Sequence, residues 1–289
     1  MADVFDHCEK ELRAGDRDRF LATLFAPQKH RRALAALYAF DLELGRVREM
    51  AREPLPGELR LQWWRDAVAG GAGNDEARAH PVVAALREAA VRFRLPPQAI
   101  VDIIDARTFD LYDEPMDSVA ALEDYARTTT AAVLGLAARV LLDGRDPDRD
   151  PAAGLLIDHA GMAMGIAAVL RALPAHAARG QRYLPTDLMA RHGAKEADLF
   201  AGRATPALAA VLSDLRGLVR NHLDVAAEHV AAVSEAIGPA LLPAVLVRPR
   251  LERMERRGAD PFRPVDLPQW RRQWMLWRAT RRGLGRAFA

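Results

Sequence analysis

Phe25-Ala-Pro-Gln-Lys-His-Arg-Arg-Ala-Leu-Ala-Ala-Leu-Tyr-Ala-Phe40 is the stretch whose reading decides the fold. A short helix over Asp16–Leu24 ends near Pro27, and a long one runs from Gln28 to Arg52. Leu34, Leu37, Tyr38 and Leu42 lie along it at helical spacing, so they form an apolar stripe. Pro54 and Pro56 then stop it. Alanine and leucine dominate the rest of the chain as they do here, and β-branched runs are scarce, which favours helix.

Further helices follow outward: Glu58–Ala69, Pro81–Phe93, Pro97–Tyr112, Ser118 to about Leu142, and Pro151–Leu173. A short one begins at Pro185, and Thr205–Ile237, Ala240–Arg257 and Leu267–Arg282 complete the set. Gly70-Gly71 opens a glycine-rich loop to Asp75, Asp143–Asp150 is a polar turn, and Pro174 stops the helix before it. Ser118 is an N-cap, since its hydroxyl can accept a free backbone N–H at a helix start. Long helices packed antiparallel imply one all-α domain over residues 1–289, a layered helical bundle.

Half of the 289 residues are apolar, enough for a sizeable core, and 28% are charged. The single cysteine, Cys8, excludes an intrachain disulfide and a cysteine-rich metal site and fits a reducing compartment. Met1–Leu12 is acidic without an apolar centre, unlike a secretory signal or transit peptide. The longest apolar stretches, Ala131–Leu142 and Ala236–Val247, fall short of the roughly 20 residues of a spanning helix. Charge is uneven: the net is +2, but Arg248–Ala289 holds twelve arginines against Glu252, Glu255, Asp260 and Asp266. That is a local +8, with −6 on everything before it. The basic end could meet an anionic partner.

Two runs carry a family resemblance. Phe25–Phe40 is similar to the opening of squalene and phytoene synthases, and Arg179-Gly-Gln-Arg-Tyr-Leu-Pro185 with Asp187 resembles their R-G-x-x-Y-L-P-x-D signature. Leu122-Glu-Asp-Tyr-Ala126, with Gly135 beyond it, adds a weaker match. The resemblance spans roughly residues 16 to 242 and implies the isoprenoid synthase type of helical fold. It also implies an enzyme that joins two isoprenoid diphosphates head to head, with Mg²⁺ held by carboxylates to neutralise the leaving group.

At the matching positions the acids are missing. Where the family has C-R-x-x-D-D-x-x-D, the arginine falls on Leu42 and the aspartate pair on Gly45 and Arg46, with Glu49 the one acid left. Where it has Q-x-x-N-I-x-R-D-x-x-E-D, this chain has Gly165, Ala168, Arg171, Ala172, Ala175 and His176. The resemblance therefore implies a retired active site that needs no cofactor, with Mg²⁺ only if relocated acids rebuild it. One branch, the assembly factors of respiratory complex I, resembles this chain in Phe40-x-x-Glu43-Leu44, Gln62-Trp63-Trp64 and Leu170-Arg-Ala-x-Pro-x-His176. That branch implies a non-catalytic assembly factor, cytoplasmic and peripheral to the inner membrane, with a complex I subunit as its client. The alternatives are a working head-to-head prenyltransferase and an isoprenoid or lipid carrier that uses the emptied cavity.

Arg171, Arg179, Arg182 and Tyr183 could hold an anion, because guanidinium forks match phosphate; otherwise they pin the loop after Pro174. His176 has no partner set with metal spacing, and His222 and His229, two turns apart, read as ordinary helix residues. Asp102, Asp105 and Asp110 are either a residual acidic cluster or a solvated face. Trp270, Trp274 and Trp277 stand one helical face apart on a basic helix at about 267–286, with Arg271 and Arg278 beside them. Tryptophan with arginine is the composition of a helix lying on anionic lipid or meeting a partner; the rival reading is a core stripe with a solvated back. No nucleic-acid motif is present.

Overall fold

The computed structural model describes residues 3–51, 53–70, 79–263 and 266–288, and every regular element in them is helical. In chain order these are α1 (Val4–Gly15), α2 (Arg17–Thr23), α3 (Gln28–Met50), α4 (Pro54–Ala69), α5 (Pro81–Phe93), α6 (Pro97–Ala106), α7 (Val119–Ala126) and α8 (Ala132–Leu141). There follow α9 (Pro151–Ala178), α10 (Thr186–His192), α11 (Glu196–Phe200), α12 (Pro206–Val230), α13 (Gly238–Leu241), α14 (Val247–Met254), α15 (Gln269–Arg282) and α16 (Gly285–Phe288). Most of the glycine-rich loop after Gly70 lies outside the described residues.

The chain divides into two compact units. The first gathers Met1–Tyr112, Ala132–Gly154 and Ala232–Pro243. Its centre is α3, where every residue from Ala33 to Asp41 is buried. A helix apolar all round is an interior helix. The alanines let neighbours approach closely, and α1, α5 and α8 all pack on α3. Lys29 and His30 at its start grip the Asp143 carboxylate at 2.7 and 2.8 Å, tying α3 to the turn after α8.

The second unit gathers Asp113–Ala131, Leu155–Ala231 and Ala244–Ala289. Its long apolar helix is α9. The turn after α7, Arg127–Ala131, is wound as a π-helix and packs closely against α9 at two of its glycines. A Cβ at Gly161 would stand 2.3 Å from Ala131 Cα, and one at Gly165 would stand 2.8 Å from Ala126 Cβ. Ser118 Oγ accepts from Ala121 N at 3.1 Å, the expected cap. The segment before it is stitched to the start of α10: Met116 N donates to Arg182 O at 3.0 Å and Thr186 N to Met116 O at 2.9 Å.

The structure departs from the sequence expectations in four places. α1 has a helical stripe of Phe5, Cys8 and Leu12, all buried, in a segment that reads as merely acidic. Pro174 does not stop α9, which continues to Ala178. Leu173 and Ala177 stay buried across the proline, and Gln181 N donates to His176 O at 2.9 Å to close the end. Ala240–Arg257 is not continuous, because a 3₁₀ turn at Leu242–Leu246 separates α13 from α14. Finally, α9 is long and apolar enough to cross a membrane by length and composition. Its most apolar window is 67% buried within the protein, as a core helix is.

Candidate functional site

The side chains along α3 form a chain of ion pairs within the first unit. Asp41, buried in the apolar run, accepts from Arg19 at 2.5 Å and from Arg107 at 2.7 Å. Arg107 also reaches Asp110 at 3.5 Å, and Arg19 covers the Tyr38 ring at 5.0 Å. Burial pushes the Asp41 carboxyl up, but the two guanidiniums outweigh it and hold it below the ordinary carboxylate value. Burial pushes the Tyr38 phenol up.

Two residues on, Glu43 faces His80 Nε2 at 3.5 Å and Arg60 at 4.0 Å. Burial raises its pKa, with Arg60 opposing and the Glu11 charge adding to the rise. Trp63, Trp64 and His80 pack edge to face beside it at 5.1–5.5 Å, Phe40 meets Trp64 at 5.3 Å, and Arg60 caps Trp63 at 4.2 Å. Phe40 and Glu43 thus share one cluster with Trp63 and Trp64, while Gln62 is exposed and donates to Asp66 at 2.9 Å.

At the degenerate positions, Leu42 is half-buried and lies over Gly15, whose missing Cβ leaves it room. Gly45 is exposed, and a Cβ there would meet nothing within 4 Å. Arg46 donates to Glu11 at 3.1 Å, and Glu49 is exposed.

In the second unit the corresponding stretch of α9 has another character. Gly165 is packed, Ala172 is half-buried, and Ala168, Arg171 and Ala175 are exposed. The His176 ring lies 4.3 Å from that of Tyr183, which is buried and also meets Tyr125 at 5.7 Å. Arg182 reaches Glu196 at 3.6 Å and covers Phe200, while Arg179 is exposed and has its own partner. Arg171 borders a cavity of 30 Å³ with Leu170, Leu212 and Pro261, room for about one water. Asp102 and Asp105 do not converge: Gln98 donates to the first at 2.8 Å and Arg65 binds the second.

Sequence reasoning missed the ion pairs around Asp41 and, in the second unit, a histidine cluster. His159 Nδ1 and His222 Nδ1 are 2.9 Å apart, and His222 Nε2 donates to Glu123 at 3.0 Å, joining α9, α12 and α7. Only one proton fits between two facing Nδ1 atoms. Burial lowers the pKa of both rings, and each also feels charge: His159 that of His222, His222 the opposing pull of Glu123. The partners stand far apart in the chain, so the sequence offers only His222 with His229, a pair that does not form.

Mg²⁺ with a diphosphate needs several oxygen ligands. Gly45, Gly165, Ala168 and Ala172 have none to give, and Arg46 is a cation already paired. Among the described residues no group of three or more His, Cys, Asp or Glu converges as a metal site. The side chains at these positions do not fit that ion.

The squalene/phytoene synthase family model matches residues 12–278. The chain belongs to the squalene/phytoene synthase family. Within it, the chain is 32% identical to the rat complex I assembly factor 6 over 258 residues, covering 89% of this chain and 76% of that one. For the human protein the identity is 30% over 260 residues, covering 90% and 76%. A phytoene synthase from Thermus thermophilus is 26% identical over 266 residues, covering 92% and 88%. Among solved structures, a dehydrosqualene synthase superposes with a TM-score of 0.81 at 20% identity, covering 97% and 96% of the two chains. A squalene synthase from Alicyclobacillus acidocaldarius gives 0.71 at 21%, covering 90% and 95%. The fold is therefore that of the family's synthases, all-α and of the isoprenoid synthase type.

Proposed function

We propose that this protein is a non-catalytic member of the family, lacking its Mg²⁺-binding aspartates, that assists assembly of respiratory complex I. Its client is a complex I subunit, met at the cytoplasmic periphery of the inner membrane. The observation that carries this reading is the chemistry at Gly45 and Arg46. One position is bare and the other is a guanidinium bound to Glu11 at 3.1 Å, and a cation there repels Mg²⁺ instead of binding it. Identity near 30% to the assembly factors supports the client.

The test has two arms. Purified protein is titrated with a non-hydrolysable farnesyl diphosphate analogue with and without Mg²⁺, and no metal-dependent heat is expected. The gene is then deleted in its host, and assembled complex I is expected to fall on native gels and in NADH oxidation. Tight metal-dependent binding with intact complex I would instead favour a head-to-head prenyltransferase, which the likeness to a phytoene synthase also supports.

A further inference from the structure

The C-terminal helix α15 is held to the second unit by one face only. Leu276 and Ala279 are buried, and Arg272 is half-buried and reaches Asp266 at 3.6 Å. At about 100° per residue, Trp270, Trp274 and Trp277 fall within roughly 60° of one another on the opposite side. They are 69%, 49% and 49% exposed. The tryptophan stripe is thus the solvent face and not the packing face. Three solvent-facing indoles on one helix are a large apolar surface.

Charge accompanies the stripe. Arg281 lies in line with it and covers Trp277 at 5.5 Å, and Arg278, on the flank, covers Trp274 at 5.0 Å. Arg282 is exposed on the same flank, and no acidic residue follows Asp266. At 14 residues the helix is about 21 Å long, too short to span a bilayer and long enough to lie along one.

We propose that α15 is a membrane-docking helix whose tryptophan face inserts at the headgroup level of an anionic bilayer. A protein groove that took the three indoles would also have to desolvate the guanidiniums lying over them, and that requires a matching set of buried acids. A bilayer offers both environments at one depth, with acyl chains for the indoles and lipid phosphates for Arg278, Arg281 and Arg282. The one-sided charge of the C-terminal region selects anionic lipid over neutral lipid. The proposal deepens the peripheral placement made above but needs neither a client nor a diphosphate, so it fails or stands separately from that reading.

The test is partition of the full chain onto phosphatidylcholine vesicles with and without phosphatidylglycerol, read by co-sedimentation and by the blue shift of tryptophan emission. Binding is expected only with the anionic lipid. The triple variant Trp270→Ala, Trp274→Ala, Trp277→Ala should bind at least about tenfold more weakly and lose the blue shift. Arg278→Gln with Arg281→Gln should weaken binding about 20-fold while keeping all the indoles. All five substitutions are at exposed positions, and unchanged helical circular dichroism checks the fold. Failure of the native protein to bind anionic vesicles overturns the proposal, as does undiminished binding by both variants. Binding to native membranes that is lost on prior protease stripping, with none to vesicles, would make the face a protein surface and also overturn it.

Discussion

Two stretches that the family resemblance assigns to the same chemical task are built in opposite ways. Along α3 the interior is organised by charge: Asp41 between Arg19 and Arg107, Glu43 facing His80 and Arg60, Arg46 on Glu11. Along α9 it is organised by shape, with Gly161 and Gly165 admitting the backbone and methyl groups of α7 and the π-turn. A shared motif position does not dictate one kind of packing: α3 pairs its charged side chains with those of its neighbours, and α9 keeps small residues against a close-packed one.

The largest expected effect tests the charge-built region. Asp41→Ala leaves two buried guanidiniums facing each other and should lower stability by about 3–5 kcal/mol in denaturant unfolding. A loss under about 1 kcal/mol would mean that the network adds little. The shape-built region should answer next. Gly161→Val drives a branched side chain into the Ala131 backbone and should cost about 3 kcal/mol. Gly165→Gln meets the Thr130 hydroxyl, which can rotate, and Ala126, which moves only with its backbone, and should cost about 1–3 kcal/mol. The same residue type in the other region should behave differently: Gly45→Ala enters open space on a helix and should stabilise by about 0.5–1 kcal/mol. If Gly45→Ala and Gly161→Val were equally harmful, the contrast would collapse.

Acid separates the regions as well. His159 and His222 have lowered pKa values when folded, so the unfolded chain binds more protons below the ordinary histidine value of about 6.5. Their contribution is present above that pH and is lost as pH falls through 6 and 5. Asp41, also depressed, contributes above the ordinary carboxylate value of about 3.9 and is lost only below it. Amide protection factors, which take out the intrinsic slowing of exchange in acid, should therefore fall in α12 and α9 between pH 7 and 5 while those of α3 hold. His222→Gln should flatten that dependence, and an unchanged profile would mean that the histidine pair does not set it.

The sequence made α3 legible because a run of small and large apolar residues has one stable use, burial all round. α1 escaped because its stripe is three residues set among acids and bases. The end of α9 escaped because proline is a local signal, and here packing of Leu173 and Ala177 on either side of Pro174 overrode it. Of the candidate site, residue identities at 45, 46, 165 and 172 could be read directly, and so could the arginines. The clusters could not: Asp41 with Arg107 and His159 with His222 are separated by 66 and 63 residues, and only the folded chain brings them together. The tryptophan stripe was visible as a stripe, but which side faced solvent depended on Leu276 and Ala279.

The close approach at Gly165 bears on what this lineage can become. Any polar side chain introduced there must displace Ala126 and Thr130 first, so one substitution alone yields a weaker protein and no new chemistry. Two changes would have to arrive together, the second of them useless without the first. Close packing thus guards this position against polar side chains, and new chemistry on this chain meets less resistance at its surfaces than in its interior.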